Sequence, residues 1–253
     1  MELAFNGRIN DILTYLQNNK RASVTELSER FYASESSIRR DLAVLEKCGC
    51  VARYYGGAAY TGTIDAYDTR INISNIQKKS IAEKAVDFVA DGQTIFLDSS
   101  STASFTIQFL SRFKGLNIVT NCLDTAIKAT QLADSDVYIA GGLIRSPSYS
   151  VTGSFAVDFF KDFHADIAFV SCTSYRASYG CFESFKTEVP EKKTIVNNSD
   201  KSILLCDSSK FESPAAFASV GNSEIDIMIT DSGITEEERA IISQKNFDLI
   251  VID

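Results

Sequence analysis

The chain has little of several residue types on which common protein chemistries depend. Its 253 residues include no Trp, three Pro and a single His, His164, so a metal or catalytic site built on two histidines is excluded. No apolar run approaches the ~20 residues that cross a membrane, and no signal peptide opens the chain, so we expect a cytoplasmic protein with no membrane partner. The six cysteines lie mostly in apolar or turn segments, and we expect reduced thiols without a metal or other cofactor.

Residues 34–47 have the pattern of a single amphipathic helix. Ser34 stands where an N-cap residue is expected, and Ile38, Leu42 and Leu45 recur at helical spacing on one narrow face. The other side of the helix carries small and basic side chains: Ser36, Ser37, Arg39, Arg40, Ala43 and Lys47. Arg can bind guanine bidentately in the major groove and Ser can reach bases or phosphates, whereas the alternative interpretation is the solvated face of an ordinary helix.

The segments on either side of this helix predict a winged helix-turn-helix. An apolar helical pattern covers residues 5–18, and a capping box over residues 23–26 opens a short second helix that a two-residue turn separates from Ser34. Gly49 is placed to end the helix over residues 34–47. After it, apolar and polar residues alternate over residues 51–55, as in a strand, and a Gly-Gly turn follows. This pattern predicts a β-wing on which Arg53 is placed to hold a backbone phosphate.

Residues 8–58 resemble the N-terminal winged helix-turn-helix of the DeoR family of bacterial sugar-metabolism regulators. The matching residues are Thr25-Glu26-Leu27, Ser34, Ser37-Ile38-Arg39-Arg40-Asp41-Leu42, Leu45-Glu46, Gly49, Arg53 and Gly56-Gly57-Ala58. The resemblance implies that the domain binds double-stranded operator DNA. The candidate DNA-binding residues are Ser34, Ser36, Ser37, Arg39, Arg40, Lys47 and Arg53.

Charge is distributed unevenly along the chain. The net charge is −8, yet residues 1–57 carry eight Lys or Arg and seven Asp or Glu, so the acidic excess belongs to the remainder. The predicted DNA-binding domain is only weakly basic, and its attraction to phosphates is modest. Tight DNA binding then needs at least two copies, so we expect a homodimer or homotetramer.

The rest of the chain predicts an α/β domain. Residues 58–73 lack a clear period and are expected to link a domain over residues 1–57 to a second domain over residues 74–253. From Ser80, which opens a predicted capping box, helices such as 103–113 and 123–132 alternate with apolar strands. Seven strands are predicted, over 94–97, 117–119, 137–140, 167–170, 203–205, 227–229 and 249–252. Strands that are apolar throughout and separated by helices indicate a mostly parallel sheet covered on both faces.

Polar residues and Gly follow most of these strands. They are Asp98-Ser99-Ser100-Ser101-Thr102, Thr120-Asn121, Gly141-Gly142, 171–174, 207–210 and 230–233. The carboxyl ends of parallel strands lie at one edge of a sheet, where ligands bind, and the helix start after Thr102 is a natural phosphate seat. Any one loop can consist only of turn and cap residues, but several loops at one edge favour a small-molecule pocket.

Residues 75–232 resemble the effector domain of the same family, which is similar in fold to ribose-5-phosphate isomerase and coenzyme A transferases. The matching pieces are Ile81-Ala82, Asp91-Gly92, Ile95-Phe96-Leu97-Asp98-Ser99, Thr102, Val119-Thr120-Asn121, Gly141-Gly142, Arg145, Gly153, Asp166-Ile167-Ala168-Phe169 and Asp207-Ser208-Ser209-Lys210-Phe211. The resemblance implies a phosphorylated sugar as effector. The candidate effector-binding residues are Asp98, Ser99, Ser100, Ser101, Thr102, Thr120, Asn121, Gly141, Gly142, Arg145, Lys192 and Lys210, with Arg145 and the lysines facing phosphate and Asp98 accepting from a sugar hydroxyl.

The chain departs from the family pattern at three places. Ser100 stands where the family commonly has Gly in an Asp-Ser-Gly-Thr-Thr loop, which removes the freedom for positive φ and for close approach of a ligand. Ser171 and Cys172 also stand where family members tend to have Gly, and Pro190 interrupts the helix entry before Lys192. These changes affect the predicted phosphate geometry more than the fold.

Three functions are compatible with the sequence. The first is a repressor of a sugar uptake or catabolism operon that a phosphorylated sugar releases from DNA. The second is a sugar-phosphate isomerase or transferase on the same scaffold, against which the complete DNA-binding domain stands, and fold likeness alone is a poor guide to function. The third is an activator or a regulator without a ligand. His164, in a Phe-rich stretch, is expected to pack rather than to catalyse.

Overall fold

The computed structural model describes residues 7–47, 50–60, 67–72, 74–146 and 148–253, with the backbone alone at residues 17, 18, 47, 68, 69 and 72. The chain forms two compact units, Met1–Asn75 and Ile76–Asp253. Across the described ranges, no helix is both long and apolar enough to span a lipid bilayer.

The first unit is a small helical domain with a three-stranded sheet. Its elements are α1 (Gly7–Asn19), β1 (Arg21–Ser23), α2 (Val24–Arg30), α3 (Glu35–Lys47), β2 (Val51–Tyr54), β3 (Gly57–Tyr60) and α4 (Tyr67–Asn72). The predicted capping box is present at the start of α2, where Ser23 Oγ accepts from the Glu26 amide at 3.1 Å and the Glu26 carboxylate accepts from the Ser23 amide at 3.3 Å. The helix-turn-helix is therefore formed by α2 and α3, as the sequence predicts.

One apolar core holds the three main helices of this unit together. Ile38, Leu42 and Leu45 of α3 are at most 1% exposed, and they pack with residues of α1, α2 and the sheet. Asp41 lies next to this stripe and accepts from Arg8 Nε at 2.7 Å, which ties α3 to α1. The apolar core and the Arg8–Asp41 pair together fix the position of α3.

The wing has a third strand that the sequence analysis did not predict. β3 lies between β1 and β2 and pairs antiparallel with both. The chain turns at Tyr55 and Gly56, where Gly56 has a φ of +85°, so Gly57 is already the first residue of the returning strand. A Cβ atom at Gly57 would lie 2.4 Å from the carbonyl oxygen of Ala22, and glycine is required there because β1 approaches so closely.

Part of the expected linker is structured. Residues 58–60 belong to β3, since Ala58 is fully buried in the core of the first unit, and residues 67–72 form α4. The linker prediction therefore begins three residues too early. Residues 61–66 and 73, and the predicted helix end at Gly49, lie outside the described residues.

The second unit contains the remaining elements. They are α5 (Asn75–Ala85), β4 (Thr94–Leu97), α6 (Ser101–Phe105), α7 (Ile107–Leu110), β5 (Leu116–Thr120), α8 (Leu123–Ala129), β6 (Ser135–Ile139), β7 (Leu143–Arg145), β8 (Ser150–Thr152), α9 (Ser154–Lys161), β9 (Ile167–Val170), β10 (Ser174–Arg176), β11 (Gly180–Glu183), α10 (Val189–Asn197), β12 (Ser202–Leu205), β13 (Phe217–Gly221), β14 (Ile227–Asp231), α11 (Glu236–Ile242) and β15 (Asp248–Ile252).

All seven predicted strands are present in one parallel sheet. The strand order is β15-β14-β12-β9-β4-β5-β6. Alternate residues point to opposite faces, so that Phe96 joins one buried cluster while Ile95 and Leu97 join the other. Both faces are covered, and this explains why the strands read as continuous apolar runs.

Several predicted helix boundaries are wrong for local reasons. Ser80 is not a cap, because α5 already begins at Asn75. The helix predicted over 103–113 begins at Ser101, ends at Leu110 and is interrupted at Thr106, whose hydroxyl donates to the Ala103 carbonyl at 2.7 Å. The antiparallel sheet β10-β11-β13 and the β7-β8 hairpin were not predicted, since strands of three to five residues show too little periodicity.

Candidate DNA-binding surface and effector site

The side of α3 opposite the core is a polar surface. Ser36, Arg39 and Arg40 are exposed, and Ser37 is half-buried. Ser34 caps the helix as predicted, because its Oγ accepts from the Ser37 amide at 3.3 Å. The hydroxyls of Ser36 and Ser37 each lie 3.0 Å from that of Ser34, so the first turn presents a cluster of three hydroxyl groups.

The arginine side chains of this surface form only weak, exposed ion pairs. Arg39 pairs with Glu35 at 2.6 Å, and Arg53 on β2 lies 3.7 Å from Glu46. Arg40 has no carboxylate partner among the described residues and contacts only its own helix. Exposed ion pairs contribute ~0–1 kcal/mol, so these guanidinium groups are readily available to phosphate or to a base. The side chain of Lys47, the last residue of α3, lies outside the described residues.

Two tyrosines beside this surface were missed by the sequence analysis. Tyr32 in the turn before α3 is 98% exposed, and Tyr55 at the tip of the wing is fully exposed. Tyr32 has a φ of +49°, a left-handed conformation that non-glycine residues seldom adopt. Tyr32 lies in the turn between α2 and α3 and Tyr55 in the turn between β2 and β3, and these positions were the available signal.

In the second unit, the polar residues that follow β4 and β9 meet at a buried lysine. Asp98 accepts from the Ser100 amide through Oδ1 and from the Ser171 amide through Oδ2, each at 2.9 Å. Lys192 Nζ lies 3.0 Å from Asp98 Oδ2 and 2.8 Å from Glu183 Oε1, and it donates to the Ser171 carbonyl. The sequence analysis named Asp98 and Lys192 but missed Glu183, which lies on the unpredicted strand β11.

The charges of this triad depend on one another. Burial raises the pKa of Glu183 to about 7, a shift that Lys192 opposes and the neighbouring Cys172 and Glu188 increase. Burial by itself would lower the pKa of Lys192, but Glu183 and Asp98 outweigh it and hold that pKa well above its usual value. Lys192 therefore stays charged and neutralises two carboxylates. Because its charge is already balanced by these partners, the predicted contact of Lys192 with phosphate stays a prediction.

Glu183→Gln is expected to remove a pH-dependent destabilisation. Because the folded-state pKa of Glu183 is raised from 4.5 to about 7, the penalty for burying its charge is absent at pH 4.5 and complete above pH 7. Relative to wild type, the variant should gain up to about 3 kcal/mol of unfolding free energy between these limits. Urea unfolding at a series of pH values measures the difference. A difference that does not rise with pH, or an equal rise for Glu237→Gln at an exposed position, would contradict this account.

Many polar groups of the loop over residues 98–102 form hydrogen bonds within the loop or with the start of α6. Ser100 has a φ of −82°, so it needs no glycine-like conformation, and its Oγ accepts from the Ala103 amide at 3.1 Å. Ser101 and Thr102 are buried in the first turn of α6, whereas Ser99 is half-buried. The predicted phosphate-binding site at this helix start is therefore corrected in two respects. The helix begins at Ser101, before Thr102, and some of the backbone amides at its start already donate to side chains of the loop.

A second group of candidates surrounds the β7-β8 hairpin. Asn121 Nδ2 donates to the Val151 carbonyl at 3.1 Å, and Thr120 Oγ1 accepts from the Cys122 amide at 3.1 Å. Arg145 pairs with Glu188 at 3.3 Å, and its guanidinium lies 3.5 Å from the centroid of the Phe185 ring. The hairpin thus contacts the segment that leads into α10 and Lys192.

Gly142 begins this hairpin in a conformation suited to glycine. Its φ is +147°, and a Cβ atom there would lie 2.8 Å from the Thr152 carbonyl oxygen. The neighbouring Gly141 is exposed and has open space around it. Gly142 is therefore explained by the close approach of β8, and ligand contact at either glycine stays a prediction.

Lys210 is the remaining predicted cation. It is half-buried and forms no ion pair among the described residues.

Hydrogen bonds with Cys181 and Cys206 lower the pKa of Cys172 well below its usual value, and the charges of Lys192 and Lys210 lower it further. The loops after β9 and β12 are adjacent, since Cys172 Sγ lies 4.0 Å from Cys206 Sγ, as expected for the carboxyl edge of a parallel sheet.

Several buried acceptors at this edge have no protein hydrogen-bond partner among the described residues. They include Asn121 Oδ1, Ser171 Oγ, Glu191 Oε2 and Asp207 Oδ2. The other carboxylate oxygen of Glu191 accepts from the Gly153 amide at 2.7 Å, which fixes the side chain. Buried polar groups are normally bonded, so these atoms are available to the hydroxyl groups of a ligand or to water.

Two further expectations need correction. Pro190 does not interrupt α10, because it lies in the first turn, where the missing amide hydrogen is not needed. His164 does not pack in the core but lies on the surface, with its Nε2 2.7 Å from Asp200 Oδ1.

Comparison with known proteins agrees with both halves of this description. The sequence profile of the DeoR C-terminal sensor domain matches residues 74–232, and that of the DeoR-like helix-turn-helix domain matches residues 8–63. The chain belongs to the DeoR family of transcriptional regulators. The HTH-type transcriptional regulator GolR of Listeria innocua is 32% identical over 80% of this chain and 81% of its own length.

Two further similar proteins are a second curated relative and a solved structure. The glycerol-3-phosphate regulon repressor of Escherichia coli is 30% identical to this DeoR-family chain and covers 81% of it, and 82% of its own length. Among solved structures, ribose 5-phosphate isomerase from Plasmodium falciparum is 20% identical with a TM-score of 0.39, and the match covers 53% of this chain and 52% of that one.

Proposed function

We propose that this DeoR-family protein is a cytoplasmic repressor of a sugar uptake or catabolism operon, released from its operator by a phosphorylated sugar. The observation that carries the proposal is the polar surface of α3, where Ser36, Arg39 and Arg40 are exposed while the opposite stripe is buried. A helix of this kind enters the major groove, and the wing with Arg53 is placed to hold the adjacent backbone. The relatives named above are transcriptional regulators, and one is named as a regulon repressor.

The carboxyl edge of the seven-stranded sheet is the proposed effector site. Lys192 is neutralised by Asp98 and Glu183, and Arg145 is paired with Glu188, so Lys210 is the cation most available to a phosphate group. The unpartnered oxygens of Asn121, Ser171, Glu191 and Asp207 are acceptors that suit the hydroxyl groups of a sugar. We therefore assign the phosphate to the Lys210 side of the site.

Release from DNA requires that the effector binds two states of the protein with different affinities. A ligand that binds the DNA-free arrangement more tightly shifts the population towards it, by as much as its differential affinity allows. The name of one relative, the glycerol-3-phosphate regulon repressor, supports repression rather than activation, and the sign of regulation depends on the position of the operator.

Titration calorimetry with a panel of sugar phosphates and their free sugars tests the effector assignment. We expect one phosphorylated sugar to bind, its free sugar to bind at least ~10-fold more weakly, and Lys210→Ala to weaken the phosphorylated form alone, since a charged hydrogen bond contributes ~1.5–3 kcal/mol. The matched control is Lys201→Ala, at an exposed lysine before β12. Equal binding of free and phosphorylated sugars, or an unchanged affinity in Lys210→Ala, would contradict the assignment.

A further inference from the structure

At both edges of the seven-stranded sheet, β6 and β15, the outer side of the strand is unpaired among the described residues. β6 pairs with β5 on one side only, and its outer edge presents backbone amide and carbonyl groups to a possible further strand. Tyr138 and Ile139 on this strand are 39% and 40% exposed. At the opposite edge, Leu249, Ile250 and Ile252 of β15 pack against the two buried clusters. The two edges differ in side-chain exposure: Tyr138 and Ile139 of β6 are exposed, whereas the apolar side chains of β15 are half-buried.

Apolar side chains on the elements around β6 extend this exposed surface. The edge patch consists of Ile127 on α8, Tyr138 and Ile139 on β6, Leu143 and Ile144 on β7, and Phe155 at the start of α9. These elements are joined: α8 packs on β6, β7 pairs with β8, and the Leu123 amide at the start of α8 donates to the Tyr149 carbonyl at 3.0 Å. Leu143 and Phe155 are the most exposed members, at 70% and 75%.

The edge patch is also poor in charge. Residues 137–157 contain one charged residue, Arg145, and that residue is paired with Glu188. The elements of the patch also carry the exposed Asp136 at the start of β6 and the Asp124–Lys128 ion pair beside Ile127. The whole chain has a net charge of −8, so two copies repel each other wherever their acidic surfaces meet. An apolar surface with few charges is the kind of surface on which two such copies can meet at a lower electrostatic cost.

The area is in the range that a dimer requires. The six side chains of the edge patch expose roughly 600 Å², at the upper end of the ~300–600 Å² of the largest apolar patch on a monomer and near the lower end of the ~600–1,000 Å² per partner that a stable interface buries. A second copy also supplies an identical open strand, and two β6 strands related by a twofold axis pair antiparallel. We infer that the β6 edge and the edge patch form the interface of a homodimer.

The position of this interface gives it a regulatory consequence, and this consequence rests on the proposed function. The β7-β8 hairpin carries Leu143 and Ile144 of the edge patch together with the effector candidate Arg145. Gly153, just before Phe155, donates its amide to Glu191. An effector that contacts Arg145 or Glu191 therefore acts on the same hairpin and helix start that meet the partner copy.

Sedimentation velocity of the full-length protein over a micromolar concentration series tests the interface. We expect the wild type to form a dimer or a larger even-numbered oligomer. Leu143→Glu and Phe155→Glu are each expected to weaken dimerisation at least ~10-fold, because each change places two charges in a symmetric interface. Both side chains are largely exposed in the single chain, so folding should be retained, which circular dichroism verifies. Ile241→Glu, at an exposed apolar position on α11 outside the patch, is the matched control.

A monomeric wild type, unchanged association in both variants, or equal weakening by Ile241→Glu would overturn the inference. The assay contains no sugar phosphate and no DNA. A failure of the effector assignment therefore leaves its result unchanged, and the two failures are distinguishable.

Discussion

Arg40→Ala is expected to abolish specific operator binding while the second unit stays intact. Arg40 is exposed on α3, has no carboxylate partner among the described residues and lies only 3.4 Å from the Ser36 carbonyl and the Ser37 hydroxyl of its own helix. A bidentate contact from Arg to guanine contributes ~1–3 kcal/mol, and a dimer makes it twice, so the affinity should fall about 100-fold or more. Fluorescence anisotropy with the upstream region of the gene, at fixed salt, measures this loss.

The matched control for this prediction is Arg112→Ala. Arg112 is also exposed and pairs with Asp87 at 3.2 Å, but it belongs to the second unit. Its removal changes the net charge by the same amount, and it should leave operator affinity within about threefold of wild type, because it removes no side chain of the assigned α3 surface and a general charge effect is screened by salt. Wild-type affinity in Arg40→Ala, or an equal loss in Arg112→Ala, would show that the assigned surface of α3 does not read the operator.

Lys192→Met is expected to produce the largest loss of stability among single changes in the second unit. Lys192 is 7% exposed and lies within 3.0 Å of Asp98 and Glu183, both of which are buried. Removing the only cation of a buried triad leaves carboxylates without compensation and costs ~3–5 kcal/mol. Urea unfolding followed by circular dichroism near pH 8, where Glu183 is ionised, should therefore show a much lower midpoint for this unit.

Two further variants separate electrostatics from packing. Lys193→Met makes the same change one residue further along α10, at a half-buried position, and is expected to alter the midpoint little. Combining Lys192→Met with Asp98→Asn and Glu183→Gln replaces the charged triad by neutral groups of similar size and should recover a large part of the lost stability. A small effect of Lys192→Met, or no recovery in the triple variant, would contradict the assigned role of the ion pairs.

The sequence predicts best where a pattern is long and repeated. The seven strands of the sheet were all predicted, because each is an apolar run bounded by polar loops. The buried face of α3 was predicted from the spacing of Ile38, Leu42 and Leu45. The strands β1, β3, β7, β8, β10, β11 and β13 were missed, since three to five residues of mixed polarity give no usable period.

The candidate effector site was predicted only in part for a related reason. Strand ends show which loops share an edge, so Asp98, Asn121 and Lys210 were found, but partners that come from unpredicted strands were not. Glu183 lies on β11, and Glu191 is fixed by the amide of Gly153, which follows the β7-β8 hairpin. Tertiary pairing of this kind also adds partners that the sequence does not show: Lys192, predicted as a phosphate ligand, is the counter-ion of two carboxylates, and its contact with phosphate stays a prediction.

Operator binding measured by fluorescence anisotropy, with and without a panel of sugar phosphates, tests the central claim most directly. The DNA is the upstream region of the gene, and salt is held constant because phosphate contacts make affinity salt-dependent. We predict specific binding that one phosphorylated sugar weakens at least ~10-fold, within the range of ordinary allosteric coupling. Specific binding that no sugar phosphate changes would contradict the effector-controlled repressor, and the absence of specific binding would contradict the assignment of α3 as the recognition helix.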